Sequence, residues 1–202
     1  MKKLDINKVP ITTAILFIIC IVVTAALAGT NYITKDRINE LSIKAENDAM
    51  SMLVPADNYT DHTIEVESQF YTYYKAEKSG ETTGYLITVS ENGYGGEIKL
   101  MVGTDSLGKV TGVKILAADD ETPGLGAKVK SKSFYGQYDG KVKDVVLQKN
   151  NADSSKNEVT AVTGATISST AVNKAVNKAL GVIDIIVNSE KAVDVGEGEL
   201  NG

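Results

Sequence analysis

The sequence predicts an α+β domain that follows a single membrane-spanning helix near the N-terminus. Three observations support this fold class: an early apolar run without charges, a series of short alternating segments separated by glycine-containing turns, and an amphipathic helical pattern towards the C-terminal end. The chain has 202 residues, of which 43% are hydrophobic and 23% charged, as in globular proteins. This length accommodates one membrane helix and one domain of ordinary size.

The apolar run is long enough to cross a bilayer. No charged residue lies between Lys8 and Lys35, and Ile11 to Ala28 is dominated by Ile, Leu, Val, Ala and Phe. As a helix with a rise of about 1.5 Å per residue, this stretch spans about 27 Å, close to the hydrocarbon thickness of a membrane. Lysines at positions 2, 3 and 8 precede it, and such charges place the N-terminus in the cytoplasm and the main domain outside.

The same run also resembles a cleaved signal peptide, because Ala26-Leu27-Ala28 has the small residues of a cleavage site. The segment from Asn31 to Leu53 has no Gly or Pro, and its apolar residues lie roughly on one helical face. This favours a retained anchor whose helix continues out of the membrane and ends before Pro55. We therefore expect four parts: a cytoplasmic N-terminus with the transmembrane anchor, a juxtamembrane helix, an extracytoplasmic domain and a flexible acidic tail, at residues 1–30, 31–55, 56–188 and 189–202.

Within the outer domain the pattern predicts an antiparallel meander and a final helix. The predicted strands are His62–Ser68, Phe70–Lys78, Thr82–Ser90, Glu97–Gly103, Lys109–Ala117, Val142–Lys149 and Glu158–Val162. Residues 127–138 are ambiguous, with a short helix as one interpretation. Ser168 to Val187 is the clearest helix, because its apolar residues recur at i, i+3 and i+4.

Composition argues against several classes of function. The net charge of -5 disfavours a nucleic-acid partner, which requires a basic face. Cys20, in the apolar run, is the one cysteine and His62 is the one histidine, so the chain cannot build a cysteine-based or multi-histidine metal site. We assign no metal ligands. The sequence also shows no acid–base constellation, and we assign no catalytic residues.

The segment Thr163-Gly164-Ala165-Thr166-Ile167-Ser168-Ser169 joins a predicted strand to the start of the final helix. The free N–H groups and positive dipole end of a helix start favour a phosphate, and the small residues let a bulky ligand approach. Ser and Thr in this place also serve as helix N-caps. The residues alone leave N-capping and anion binding open.

Two motifs carry a family resemblance. Thr163 to Ser168 resembles the Ser/Thr-Gly-Ala-Thr-x-Ser/Thr flavinylation motif of FMN-binding domains. Upstream, Glu121-Thr122-Pro123-Gly124-Leu125-Gly126 resembles the Glu-Thr-Pro-Gly-Leu-Gly loop of the G subunits of Rnf complexes, as do the Gly93–Gly96 turn and the single anchor. One departure is Asp119, which stands where some relatives carry a His.

The resemblance implies that a flavin transferase, with FAD as donor, joins the phosphate of FMN covalently to Thr166. It also implies a subunit that transfers electrons within a membrane-bound, ion-translocating ferredoxin:NAD oxidoreductase and has no catalytic activity of its own. Its implied partners are the other subunits, the transferase and the lipid bilayer. The implied cofactor site consists of Thr163, Gly164, Ala165, Thr166, Ser168, Glu121, Thr122, Pro123, Gly124, Leu125 and Gly126. Leu125 is expected to cover the ring, and Glu121 either orients the neighbourhood of Thr166 or caps a helix.

Two alternatives stay open. The corresponding flavin-carrying C subunit of a Na⁺-translocating NADH:quinone reductase uses the same attachment chemistry, although a chain of 202 residues favours the Rnf-type protein. An anchored extracytoplasmic binding module without redox function would also use a capped helix start.

Overall fold

A computed structural model describes residues 9–153 and 155–198. By its contacts the chain forms two compact units, Met1–Lys44 and Ala45–Gly202. The lysines on which the predicted orientation depends, and residues 199–202 of the acidic tail, lie outside the described residues.

The first helix, α1, runs without interruption from Val9 to Leu53. From Ile11 onwards the helix contains a stretch that is long and apolar enough to cross a membrane. Large apolar side chains along it are exposed, including Phe17 and Leu27 at 66% each. The predicted continuation of the anchor helix to a point before Pro55 is confirmed.

Five strands form one antiparallel sheet in the order β1-β2-β3-β4-β5. The strands are β1 (Asn58–Val66), β2 (Gln69–Lys78), β3 (Glu81–Asn92), β4 (Glu97–Asp105) and β5 (Val110–Ala117). The α+β class and the meander predicted from the sequence are confirmed. Strand β1 begins at Asn58 instead of His62, because its polar first residues pair with β2, where Asn58 faces Glu77.

The segment after β5 is less regular than the sequence suggests. The ambiguous region 127–138 forms a 3₁₀ helix at Gly126–Lys130, the short helix α2 (Lys132–Tyr135) and a 3₁₀ turn at Gly136–Tyr138. Strands β6 (Val146–Gln148) and β7 (Glu158–Thr160) then pair in parallel.

The predicted strand Val142–Lys149 is therefore reduced to three residues. Its first residues form hydrogen bonds with asparagine side chains instead of a neighbouring strand. Asn157 bonds the N–H and C=O of Val142, and Asn177 bonds those of Val145. Side-chain amides thus replace the ladder at this position.

The last helix, α3, runs from Thr166 to Gly198 and is longer than the predicted Ser168–Val187. The sequence places a flexible tail from residue 189, whereas residues 189–198 continue the helix. The physical reason is that no proline interrupts this stretch and Glu190 is bonded to Tyr85 and Lys75 of the sheet.

Both faces of the sheet are covered. On one face α3 packs Val172, Val176, Leu180 and Ile183 against Ile87, Leu100 and Val102. On the other, Ala49, Met50 and Leu53 of α1 pack against Leu86 and Met101. Gly103 and Gly112 pair across β4 and β5, and a Cβ at either would come within 2.8 Å of Leu53. The burial of its apolar side chains stabilises α3 against the sheet. The N-terminal end of this helix lies at the candidate functional site.

Candidate functional site

The N-terminus of α3 faces a cleft of about 540 Å³. Three segments that are distant in sequence line it: the turn between β3 and β4, the loop after β5, and the start of α3. The lining residues are Tyr94, Glu121, Thr122, Leu125, Gly126, Gly164, Ala165, Thr166, Ile167 and Ser168. Tyr94, Leu125 and Ile167 are 70%, 45% and 56% exposed, so the cleft offers apolar surface to an occupant.

The loop after β5 contains a type II β-turn at Thr122–Leu125. The Leu125 N–H donates to the Thr122 carbonyl at 3.1 Å, and Gly124 has the positive φ of +76° that this turn requires at its third residue. Pro123 supplies the fixed φ of the second residue. The turn presents Leu125 to Gly164, where a Cβ would lie 3.2 Å from Leu125 Cδ2.

A buried carboxylate joins the three segments. Glu121 is 2% exposed. Its Oε1 accepts hydrogen bonds from the backbone N–H groups of Tyr94, at 2.7 Å, and Gly95, at 3.3 Å. Its Oε2 accepts one from the Ser168 hydroxyl at 2.7 Å. These hydrogen bonds connect the turn between β3 and β4 to the first turn of α3.

Glycines make room for this carboxylate. A Cβ at Gly93 would overlap Oε1 of Glu121, and a Cβ at Gly126 would overlap Oε2. A Cβ at Gly95 would overlap the carbonyl of Asp120. The glycine-rich turn and the last glycine of the Glu121–Gly126 loop are therefore required by close packing around Glu121.

The hydroxyl groups at the start of α3 differ in their surroundings. Ser168 is buried and bonded to Glu121. Ser169 is buried as well, accepts from the Val162 N–H at 2.9 Å and donates to the Ala165 carbonyl at 2.9 Å. Thr166, the first residue of α3, is exposed in the cleft, and its hydroxyl has no hydrogen-bond partner within residues 9–153 and 155–198. Ser169 thus secures the chain before the helix and leaves Thr166 accessible.

The electrostatics of the cleft combine two opposite contributions. The first backbone N–H groups of α3 have no intrahelical acceptors and carry the positive end of the helix dipole. The negative Glu121 carboxylate lies next to the Ser168 hydroxyl in the first turn of this helix. A smaller hollow of about 200 Å³ also includes Thr166, and its lining contains both an ammonium, Lys174, and a carboxylate, Glu91. In the described part of the chain, no group of His, Cys, Asp and Glu side chains is arranged to hold a metal ion.

Most of the residues predicted for the cofactor site meet at this cleft. Eight line it, namely Glu121, Thr122, Leu125, Gly126, Gly164, Ala165, Thr166 and Ser168. Thr163, Pro123 and Gly124 are exposed in the same loops but are not lining residues. Sequence reasoning did not assign Tyr94 and Ile167, although both stand inside motifs that it identified.

Two family models match this chain. An FMN-binding domain matches residues 93–181, and an RnfG N-terminal region matches residues 1–52. The G subunit of the proton-translocating ferredoxin:NAD(+) oxidoreductase complex of Clostridium ljungdahlii is 35% identical over 89% of this chain and 94% of its own length. The G subunit of the Na(+)-translocating complex of Acetobacterium woodii is 34% identical over 83% of this chain and 88% of its own.

Solved structures show the same fold at lower identity. The C subunit of the Na(+)-translocating NADH-quinone reductase from Parabacteroides distasonis superposes with a TM-score of 0.55, at 17% identity, over 72% of this chain and 91% of that one. This likeness concerns the fold alone. The sequence matches over most of the chain decide the family: the chain belongs to the G subunits of ion-translocating ferredoxin:NAD(+) oxidoreductase complexes and carries an FMN-binding domain.

Proposed function

We propose that this protein carries FMN covalently, through a phosphoester on Thr166, and relays electrons as one member of a membrane-bound ferredoxin:NAD(+) oxidoreductase complex. The observation that carries the proposal is the exposed Thr166 hydroxyl, at the start of α3 and inside an apolar cleft. The family supports both the cofactor and the complex.

The residues of the cleft fit a flavin. Its volume of about 540 Å³ is within the roughly 300–1,000 Å³ of cofactor pockets. Tyr94, Leu125 and Ile167 offer apolar surface against which a planar ring can pack. The N–H groups at the start of α3 favour the negative charge of a phosphodiester, and Gly164, with a φ of +80°, lets the ligand approach the backbone.

The chemistry of attachment needs one reactive group from this chain. In a single maturation step the Thr166 hydroxyl gives up its proton and forms a bond to the FMN phosphorus of FAD, and AMP leaves with the broken phosphoanhydride bond. A flavin transferase supplies the catalysis. Once bound, FMN accepts and donates one or two electrons. Thr166 would tether it, the N–H groups at the start of α3 would hold its phosphate, and Tyr94, Leu125 and Ile167 would offer apolar surface to the ring.

The membrane arrangement that we propose rests on the apolar part of α1 and on the lysines that precede it in the sequence. We propose a single-pass protein with a cytoplasmic N-terminus and the flavin domain on the outer face. The relatives from Clostridium ljungdahlii and Acetobacterium woodii are named as members of complexes that translocate protons and Na⁺, respectively. The described part of this chain offers one membrane-spanning helix, so we assign ion translocation to partner subunits.

The test of the covalent site is the mass of the protein after co-expression with a flavin transferase. Wild type should gain the mass of one phosphoester-linked FMN, localised to the peptide that contains Thr166. Thr166→Ala should lose the modification completely, whereas Thr166→Ser keeps the hydroxyl and should retain it. Thr170→Ala is the matched control, because it removes a hydroxyl one turn later in α3. An unmodified wild type, or a Thr166→Ala protein that still carries FMN, would contradict the proposal.

The orientation can be tested with single cysteines in a Cys20→Ala background. Lys149 is exposed in the outer domain, so Lys149→Cys should react with a membrane-impermeant maleimide in intact cells. Lys3→Cys, before the anchor, should react only after the cells are broken. Protection of Lys149→Cys in intact cells would place the domain in the cytoplasm and overturn the proposed arrangement.

A further inference from the structure

We propose that Glu121 is the positioning residue of the flavin site, fixing the start of α3 against the β3–β4 turn so that Thr166 and the apolar walls keep the arrangement that receives the ring. The inference rests on the proposed function. It assigns a role to a side chain that the attachment chemistry does not use.

The hydrogen bonds of Glu121 span the whole site. One oxygen binds the turn at Tyr94 and Gly95, and the other binds Ser168 in the first turn of α3. The partners Tyr94 and Ser168 lie 27 and 47 residues from Glu121 in the chain. A single rigid group therefore sets the distance between the wall that carries Tyr94 and the helix that carries Thr166.

The packing leaves Glu121 no alternative position. It is 2% exposed, and Gly93 and Gly126 approach its two oxygens so closely that neither position has room for a Cβ. Moving the carboxylate would require a shift of the backbone at one of these glycines. The position of the carboxylate is thus fixed by the main chain at Gly93 and Gly126 and by the hydroxyl of Ser168.

The surroundings of Glu121 do not neutralise it with a cation. Within the described ranges its hydrogen-bond donors are two backbone N–H groups and one hydroxyl, and it forms no ion pair. A buried carboxylate costs free energy that well-packed apolar groups would not, so stability alone does not account for it. Because it lines the cleft, its negative charge also acts on the occupant and makes the addition of electrons to a bound flavin less favourable.

Glu121→Gln and Glu121→Ala separate position from charge. In Glu121→Gln the amide oxygen can still accept from the turn and the NH₂ can donate to the Ser168 hydroxyl, so the geometry is kept and the charge is removed. Glu121→Ala removes both links. The matched control is Glu190→Gln. Glu190 is a carboxylate in a later turn of α3 that is bonded to Tyr85 and Lys75 of the sheet, and the substitution removes its charge.

The experiment uses the full chain co-expressed with the flavin transferase, purified in detergent. It measures the extent and rate of flavin attachment, the fluorescence anisotropy of the flavin, its midpoint potential and the thermal unfolding of each variant. We expect Glu121→Gln to retain attachment and anisotropy and to show a higher midpoint potential. We expect Glu121→Ala to slow attachment by up to about 100-fold, because Thr166 is misplaced, and to lower the anisotropy. Glu190→Gln should change only the unfolding temperature.

The outcomes are distinguishable. An unmodified wild type overturns the proposed function and this inference with it. If wild type is modified and Glu121→Ala matches it in attachment rate and anisotropy, Glu121 does not position the site. If Glu121→Ala fails to fold, Ser168→Ala decides, because it removes the link between Glu121 and α3 and leaves the carboxylate bonded to the turn. An attachment rate and anisotropy equal to those of wild type would overturn the proposal.

Discussion

Two of the carboxylates that link α3 to the rest of the domain have very different surroundings. Near the start of the helix, Glu121 is buried and held mainly by backbone N–H groups. Further along, Glu190 accepts from the Tyr85 hydroxyl at 2.7 Å and from Lys75 Nζ at 3.3 Å, and its side chain is 38% exposed. Backbone donors cannot follow a moving partner, whereas the ammonium group at the end of the flexible Lys75 side chain can.

The two kinds of attachment correspond to different needs for a fixed geometry. The start of α3 carries Thr166 and forms one wall of the cleft. A shift of the helix start would therefore move the Thr166 hydroxyl away from its reactive position. The region of Glu190 supports no cleft, and an adjustable attachment is sufficient there. Charge balance differs in the same way, because Lys75 compensates Glu190 while Glu121 has no cation beside it in the described ranges.

The largest effect expected from this comparison is that of Gly126→Ala. The added Cβ would overlap Oε2 of Glu121 and approach the Ser168 hydroxyl at 2.8 Å. Because neither the carboxylate nor the backbone can yield, the free energy of unfolding should fall by about 1–3 kcal/mol, and flavin attachment should fall with it. Chemical denaturation of the full chain and the mass of the protein measure the two effects.

The matched control is Gly181→Ala in the middle of α3. Apart from its chain neighbours and the adjacent helix backbone, nothing in the described residues lies within 4 Å of the position of its Cβ. Alanine should therefore raise the free energy of unfolding by about 0.5–1 kcal/mol through its better helix propensity. Flavin attachment should not change. If Gly126→Ala were as well tolerated as Gly181→Ala, the rigid fixation of the helix start would be contradicted.

The sequence predicted the separate parts of the cleft but not their assembly. Gly, Pro, Ser and Thr signal local turns and helix starts, and so the loop at Glu121–Gly126 and the start of α3 were identified as segments. The role of Glu121 depends on contacts with residues 27 and 47 positions away, which no local pattern encodes. Tyr94 was missed as a lining residue for the same reason, since only the folded turn brings it to the cleft.

The meander was predictable because each of its strands pairs with its neighbour in sequence through a short turn. The pairing of β6 with β7 was not, because it is parallel and its strands have three residues each. The sequence pattern predicts that α3 ends at Val187, because the acidic residues after it suggest a solvated tail, whereas the helix continues to Gly198. Contacts of Glu190 with Tyr85 and Lys75 explain why the helix continues.

The smallest effect expected is that of Tyr85→Phe, at the adjustable attachment. The variant loses one hydrogen bond to Glu190, which keeps Lys75 and contact with water. We expect a loss of about 1 kcal/mol in the free energy of unfolding at pH 7, with unchanged flavin attachment and midpoint potential. A change in either flavin property would show that the later turns of α3 also control the site, and would remove the distinction between the two attachments.

The pH dependence of the free energy of unfolding provides a second test of the hydrogen bond between Tyr85 and Glu190. Burial, and then the hydrogen bond and charge of Glu190, raise the pKa of Tyr85 above its ordinary value of 10.0. Because the folded state raises this pKa, the neutral phenol stabilises the fold fully below pH 10.0 and this contribution is lost as the pH rises further. The pKa of Tyr73 is raised too, by burial and by Glu190, so wild type and Tyr85→Phe must be compared. The difference in their free energies of unfolding should be constant from pH 7 to 9 and shrink above pH 10, and a difference that grows there would contradict the assignment.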